Sequence, residues 1–115
     1  MRLLAFLLLL PTAAIASDFA VLKGDTPLTR EEVIALTQTH LVEFYEGGQS
    51  RYSVGGSYSY TYQSGGTAFG KFEVGPEGAI CIKYRNGRNR CDRFVRSHGR
   101  LVMITQTGDR FPIRP

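Results

Sequence analysis

The sequence predicts a mainly β domain (α+β), an antiparallel meander of six to seven strands that forms a curled sheet or small barrel, with one short N-terminal helix. Turn signals recur at near-regular spacing after residue 40, with loops of hairpin length between them. Tyr58, Tyr60 and Tyr62 alternate with small hydroxyl side chains, the period-two pattern of a half-buried strand. Asn86-Gly87 lies between two β-rich segments and is a strong signal for a hairpin turn.

Ahead of the first element, residues 1–16 have the composition of a secretory signal peptide. A charged residue precedes the apolar run 3–10, and Ala14 and Ala16 supply an A-x-A cleavage pattern, so we expect cleavage between Ala16 and Ser17. This apolar run is too short to cross a bilayer, which needs about 20 residues. The sequence therefore predicts an exported protein, periplasmic or secreted, without a transmembrane segment.

The chain after the expected cleavage site divides into an extended arm, residues 17–27, and a single β-rich domain, residues 28–115. Thr29 and Glu32 have the spacing of a capping box, in which each side chain accepts a hydrogen bond from the other residue's backbone N–H. A short apolar stripe follows. We therefore expect one helix of two to three turns over about 30–38.

The remaining residues are rich in strand-forming side chains and are divided by turn sequences. Glycine pairs flank the tyrosine segment, and Gly75-Pro76-Glu77-Gly78 is a turn sequence. The predicted strands cover residues 41–46, 57–63, 68–74, 79–84, 89–95, 101–106 and 110–113.

Cys81 and Cys91 form an even pair in a chain that we expect to be exported, and this favours a disulfide. A three-residue loop over 85–87, with Gly87 in a left-handed bulge position, would place the cysteines directly opposite each other. A two-residue Asn-Gly turn would misalign them by one position. The strand pattern leaves that register open.

Catalytic and metal chemistry have weak support in this sequence. His40 and His98 are the only histidines, and no serine or cysteine lies in a recognisable nucleophile motif. Residues 65–71, G-G-T-A-F-G-K, match part of a phosphate-binding loop, but Phe72 replaces the Mg²⁺-binding hydroxyl and the segment lies between antiparallel strands. We therefore expect no catalytic residue, no metal, no cofactor, and a protein that is not an enzyme.

Charge is distributed unevenly along the chain. Residues 17–78 hold four basic and eight acidic side chains, whereas residues 79–115 hold nine basic and two acidic ones. Arginine suits contact with phosphate and carboxylate groups, so an anionic envelope component or an acidic protein surface is a plausible partner, and export argues against nucleic acid. The alternative is that edge arginines only protect a β protein from aggregation. The candidate binding residues are Arg85, Arg88, Arg90, Arg93 and Arg96.

The tyrosine stripe also allows two interpretations. Alternate aromatic side chains line the core side of a strand, and the opposite face here carries only small hydroxyls and Gln63. An aromatic stripe can also stack on a ligand. The candidate ligand-lining residues are therefore Tyr58, Tyr60 and Tyr62.

In the segments Gly70–Val74, Ile80–Tyr84, Arg90-Cys91 and Phe94-Val95, the chain resembles small exported β-rich proteins of alphaproteobacteria that have no assigned function. Those proteins share a secretion signal, a short segment similar to residues 28–33, and a meander ending in two cysteines. The resemblance implies a periplasmic β-rich domain and carries over no catalytic residue. Phe72 stands where such families often show Trp.

Our leading functional hypothesis from the sequence is a non-enzymatic binding or interaction domain that meets an anionic partner through an Arg-rich hairpin. One alternative is a small barrel that carries an apolar or aromatic ligand in a tyrosine-lined interior. Another is an inhibitor of a cell-wall-degrading enzyme such as lysozyme. The sequence leaves the ligand, the partner and the oligomeric state open.

Overall fold

A computed structural model describes residues 19–115 of the chain. The expected signal peptide, residues 1–16, and its cleavage site between Ala16 and Ser17 lie outside the described residues. The described part contains one helix and nine strands, which are β1 (Asp25–Pro27), α1 (Arg30–Thr37), β2 (Leu41–Glu43), β3 (Gln49–Tyr52), β4 (Ser57–Thr61), β5 (Thr67–Val74), β6 (Ile80–Tyr84), β7 (Asn89–Ser97), β8 (Arg100–Thr105) and β9 (Arg110–Pro112).

Strands β2 to β9 form an antiparallel meander in which each strand pairs with its neighbour in sequence. The sheet curls until its two outer strands meet at a single bridge between Phe44 and Ile113. On either side of this bridge, the Tyr45 N–H donates to the Pro112 carbonyl oxygen at 3.1 Å, and the Arg114 N–H donates to the Glu43 carbonyl oxygen at 2.7 Å. The mainly β fold with one short helix is therefore confirmed. Apart from this single bridge, β2 and β9 do not pair within residues 19–115, so the sheet is an open, curled half-barrel, and it has more strands than the six to seven expected.

Two short strands account for most of the difference in strand number. Strand β3 carries serine and tyrosine as its buried residues, Ser50 and Tyr52, so it lacks the aliphatic alternation by which strands are recognised. Strand β1 lies within the expected arm and pairs with β7, Asp25 facing Ser97. Its three residues carry too little pattern to be read from sequence.

The helix begins as the sequence predicts. The Thr29 hydroxyl accepts a hydrogen bond from the Glu32 N–H at 3.1 Å, and the Glu32 carboxylate accepts one from the Thr29 N–H at 2.9 Å. Together they satisfy two backbone donors that the helix itself leaves unpaired. Helix α1 leads directly into β2, and its fully buried Val33 joins the core. The helix therefore lies at the end of the sheet where β2 begins.

The interior of the curled sheet holds the main core, and the outer face carries a smaller cluster. On that outer face, Phe19 of the arm packs against Val95, Val102 and Ile104 of β7 and β8. Within residues 19–115, no helix combines the length and hydropathy needed to cross a membrane. The buried residues of the main core are Leu28, Val33, Val42, Phe44, Tyr52, Tyr58, Tyr60, Ile80, Ile82, Phe94, Met103 and Ile113.

The β6–β7 hairpin settles the register that the sequence left open. Cys81 faces Cys91 across the two strands, with 4.0 Å between their Cα atoms, and the two residues form a disulfide. The loop has three residues, and Gly87 adopts the left-handed conformation (φ 91°) that a residue with a side chain rarely takes. The predicted disulfide is therefore confirmed, in the three-residue-loop register.

Strand β5 contains a glycine, Gly70, where its backbone passes very close to that of β6. A side-chain carbon at Gly70 would lie 2.4 Å from the carbonyl oxygen of Lys83 on β6, which is too close for any residue but glycine. Gly70 faces Tyr58 on one side and Tyr84 on the other, and those two rings approach to 6.1 Å between centroids. The last glycine of the phosphate-loop-like segment therefore permits the close approach of β5 to β6.

Candidate ligand-binding cavity

A cavity of about 460 Å³ opens at the end of the sheet opposite the helix. Because neighbouring strands alternate in direction, the β2–β3, β4–β5, β6–β7 and β8–β9 turns all lie at this end. Each of these turns contributes to the cavity, through Glu46, Tyr62, Asn86 and Thr107 respectively. We refer to it as the mouth cavity.

One wall of the mouth cavity is aromatic. Tyr60 and Tyr62 point in the same direction from β4 and its extension, and their rings meet edge to face with centroids 5.0 Å apart. Tyr84 of β6 and Phe111 of β9 complete the wall. Tyr58, the third tyrosine of the predicted stripe, lies deeper and is 2% exposed, so it does not line the cavity.

Arg90 forms a polar floor beneath these rings. Its Nε and Nη2 atoms donate hydrogen bonds of 3.1 and 2.9 Å to Oδ2 of the fully buried Asp92. Nη2 also donates to the Tyr58 hydroxyl at 3.0 Å. The Arg90 Cζ atom lies 5.6 Å from the ring centroid of Tyr60 and 5.9 Å from that of Tyr84. The guanidinium is therefore held by an ion pair, a phenol and two cation–π contacts.

Burial keeps the tyrosines around Arg90 protonated at neutral pH. The pKa of Tyr60 is raised to about 12, first by burial and then by the negative charge of Glu46. Burial also raises the pKa values of Tyr58 and Asp92, although the Arg90 charge acts in the opposite direction on both. At neutral pH the tyrosines are therefore neutral hydrogen-bonding groups rather than bases or nucleophiles.

The rim of the mouth cavity is polar and carries both signs of charge. Arg88 contributes a positive charge, whereas Glu46 and Asp109 contribute negative ones. Asn86 accepts a hydrogen bond of 2.9 Å from the Arg88 backbone N–H, which helps to order the hairpin turn. The remaining polar lining residues are Asn89, Thr105, Gln106 and Thr107.

The predicted arginines do not share one surface. Arg88 and Arg90 line the mouth cavity. Arg85 stacks on the exposed ring of Phe69, with 5.2 Å between its Cζ atom and the ring centroid. Arg93 faces Ile104 of the neighbouring strand on the outer face of the sheet. Arg96 lines a second cavity of about 340 Å³ that includes the β7–β8 turn, at the helix end. The hairpin sequence therefore distributes its arginines over both faces and both ends.

Sequence reasoning missed Tyr84, Met103 and Phe111 as lining residues. Tyr84 could have been found, because it alternates with Ile80 and Ile82 on the inner face of β6. Met103 and Phe111 face each other on β8 and β9, and only the curl of the sheet brings that pair to the tyrosines.

The two histidines lie away from the mouth cavity. Both have left-handed backbone, with φ of 74° at His40 and 52° at His98. The Nδ1 atom of His40 lies 3.1 Å from the Tyr52 carbonyl oxygen, and His98 occupies the β7–β8 turn. Over residues 19–115, no group of three or more His, Cys, Asp or Glu side chains is arranged to hold a metal ion.

No protein-family model, curated protein or solved structure matches the chain. The functional interpretation of the mouth cavity therefore depends on its own residues.

Proposed function

We propose that this protein is a non-enzymatic binding protein that holds a small ligand with an aromatic or apolar face in the mouth cavity. The observation that carries the proposal is the cavity itself, about 460 Å³ with an aromatic wall and a polar rim. Small-molecule sites in proteins typically have volumes of about 300–1,000 Å³ and combine apolar walls with a few polar groups. The mouth cavity has both properties.

The charges around the cavity narrow the class of ligand. The Arg90 charge is already compensated by Asp92, and Arg88 is outnumbered by Glu46 and Asp109. A strongly anionic ligand would therefore gain little net attraction, whereas a neutral or zwitterionic one could stack on the tyrosines. Its polar edge would meet the rim amides and hydroxyls. We accordingly favour a neutral or zwitterionic ligand with one flat face.

The positions of the arginines argue against a single anionic partner that contacts the whole hairpin. Arg88 and Arg96, at opposite ends of the sheet, cannot contact one small partner together. An extended anionic surface that met the whole hairpin would have to reach both faces of the sheet. The arrangement therefore supports a small ligand in the mouth cavity over a single anionic partner on the hairpin.

We also propose that the protein is exported. The chain has two cysteines and both are in the disulfide, which is compatible with an oxidising compartment. The expected leader, residues 1–16, supports the same proposal. An intact mass that begins at Ser17 in material recovered from the cell envelope would test it.

A variant that fills the mouth cavity tests the binding proposal without removing a core side chain. Ala68 lines the cavity and faces Tyr60 on the neighbouring strand, so Ala68→Phe would place a ring in the ligand space. Ser57→Phe is the matched control, because Ser57 is exposed and faces Lys71 away from the cavity. The probe is N-phenyl-1-naphthylamine, an uncharged dye whose fluorescence rises in apolar sites, and native mass spectrometry reports any ligand that survives purification.

We expect the wild-type protein and Ser57→Phe to bind the probe in the mouth cavity, and Ala68→Phe to lose at least about tenfold in affinity, because the added ring would occupy the space that the probe fills. The proposal is wrong if Ala68→Phe binds as tightly as Ser57→Phe while both remain folded by circular dichroism. Co-purification of a ligand with the control but not with Ala68→Phe would identify the natural class of compound.

A further inference from the structure

The second cavity, which includes the β7–β8 turn, has a different chemistry from the mouth cavity. Its volume is about 340 Å³, and it combines three arginines with apolar and aromatic surface. We refer to it as the arginine cavity. Its lining includes Tyr45, Arg96, Arg100, Leu101, Ile113 and Arg114.

The three arginines come together from separate parts of the chain. Arg96 and Arg100 lie on either side of the two-residue turn between β7 and β8, and Arg114 follows β9. Arg114 lies in the arginine cavity because the bridge between Phe44 and Ile113 holds the end of β9 against β2. The curl of the sheet therefore builds a cationic cluster that no short stretch of sequence contains.

Arg96, Arg100 and Arg114 form no ion pair within the described residues. The cavity lining contains no Asp or Glu, and the two ion pairs found within residues 19–115 involve Arg90 and Arg110. All three arginines are exposed, so water screens their mutual repulsion, but an anion placed among them would be attracted by all three. The cluster is therefore suited to bind an anion.

One of the three guanidinium groups is already oriented. The Arg114 Cζ atom lies 4.9 Å from the ring centroid of Tyr45. A cation–π contact uses the face of the guanidinium plane and leaves the N–H donors at its edge free for an anion. Arginine donors match the oxygen geometry of phosphate with paired hydrogen bonds. We propose that the arginine cavity binds a phosphate group, through Arg96, Arg100 and Arg114.

This phosphate site is distinct from the mouth cavity, because the two cavities share no lining residue. Phosphate groups reach an envelope protein from two sources, free phosphate compounds and lipid headgroups. Inorganic phosphate tests the first source. Vesicles of phosphatidylglycerol, compared with vesicles of phosphatidylcholine, test the second.

The experiment uses the protein purified after expression of the full chain, with binding followed by amide resonances in an NMR titration and by vesicle sedimentation. The test variant is R96Q/R100Q/R114Q. The matched control, R51Q/K71Q/K83Q, removes three charges from exposed positions outside both cavities. A third variant, R96K/R100K/R114K, keeps the charge but removes the planar donors.

We expect inorganic phosphate to shift the amide resonances of Gly99, Leu101 and Ile113. The glutamine variant should lose at least about tenfold in affinity, because charge-assisted hydrogen bonds are lost. The lysine variant should be weakened less, and the control should change by less than about twofold. Binding to phosphatidylglycerol vesicles alone, lost in the glutamine variant and kept in the control, would assign the site to a lipid headgroup.

Two results would overturn the phosphate site. One is no binding of either probe, with phosphate weaker than about 10 mM. The other is an equal loss in the glutamine variant and the control, which would mean that the binding depends only on net charge. Neither result would affect probe binding in the mouth cavity, so the two proposals fail separately.

Discussion

Two arginine–aspartate ion pairs, one inside the curled sheet and one outside it, show how similar contacts have opposite effects on a carboxyl group. Both pairs have an N–O distance of 2.9 Å, and their side chains are almost equally exposed, 26% and 0% for Arg90 and Asp92 against 27% and 1% for Arg110 and Asp25. Nevertheless, the pKa of Asp25 is held well below its ordinary value, whereas that of Asp92 is raised.

The hydrogen bonds to the two carboxylates explain part of this difference. Arg110 donates to both oxygens of Asp25, at 2.9 and 3.0 Å, and the Leu22 N–H adds a third hydrogen bond of 2.8 Å. Arg90 donates twice to one oxygen of Asp92, and the other oxygen has no partner within the described residues. Asp92 also lies deep in the core, so burial outweighs its ion pair. Equal exposure therefore does not imply an equal electrostatic environment.

The largest effect should follow from breaking the inner pair. Arg90→Met would leave the Asp92 carboxylate buried without its partner, and we expect the free energy of unfolding to fall by about 3 kcal/mol. The double variant R90M/D92V should recover much of that loss, because two apolar side chains need no partner. Urea unfolding of both variants measures the difference. Equal losses in the single and double variants would mean that the buried charge is not what destabilises Arg90→Met.

A smaller effect should follow from disturbing the close approach of β5 to β6 at Gly70, which lies between Tyr58 and Tyr84. Gly70→Ala would force the carbonyl oxygen of Lys83 away from β5, and we expect a loss of about 2 kcal/mol in unfolding free energy. Gly66→Ala is the control, because a side-chain carbon at Gly66 meets nothing within 4 Å. We expect that control to change stability by less than about 0.5 kcal/mol. Similar stability of the two variants would show that the sheet does not depend on this close approach.

The smallest effect should follow from removing the charge of the outer pair. Because the folded-state pKa of Asp25 lies below its unfolded value, its stabilisation is present above about pH 4 and is lost as the pH falls. Asp25→Asn should therefore lower the unfolding free energy by about 1 kcal/mol at pH 7, and the difference from wild type should shrink in acid. Thermal unfolding between pH 7 and about pH 2 measures it, with the exposed Glu77→Gln as control. A difference independent of pH would contradict a charge effect.

The features that were predicted correctly depend on residues close together in the chain. The helix start depends on Thr29 and Glu32, and the hairpin depends on the turn that aligns Cys81 with Cys91. Strand β3 was not predicted because its buried residues, Ser50 and Tyr52, carry polar groups. The buried Ser50 hydroxyl forms a hydrogen bond of 2.8 Å with the Tyr58 hydroxyl of β4. This hydrogen bond can form only after β3 and β4 have paired.

The candidate sites were predicted in part. Tyr60, Tyr62, Arg88 and Arg90 were among the candidates, and all four line the mouth cavity. The arginine cavity could not be anticipated, because Arg114 joins it through the bridge between the first and last strands of the meander. The role of each residue in binding stays a prediction until the cavity-filling and charge-removing variants are measured.

The sequence by itself determined the β-rich fold, the single capped helix, the hairpin and the possibility of a disulfide. These depend on local periodicity, capping and turn chemistry, which act over a few residues. Only the tertiary structure decided how far the sheet curls, which arginines share a cavity, and which carboxylate is fully hydrogen-bonded. Those outcomes depend on contacts between distant strands, and the free energy of a charge depends on everything that surrounds it after folding.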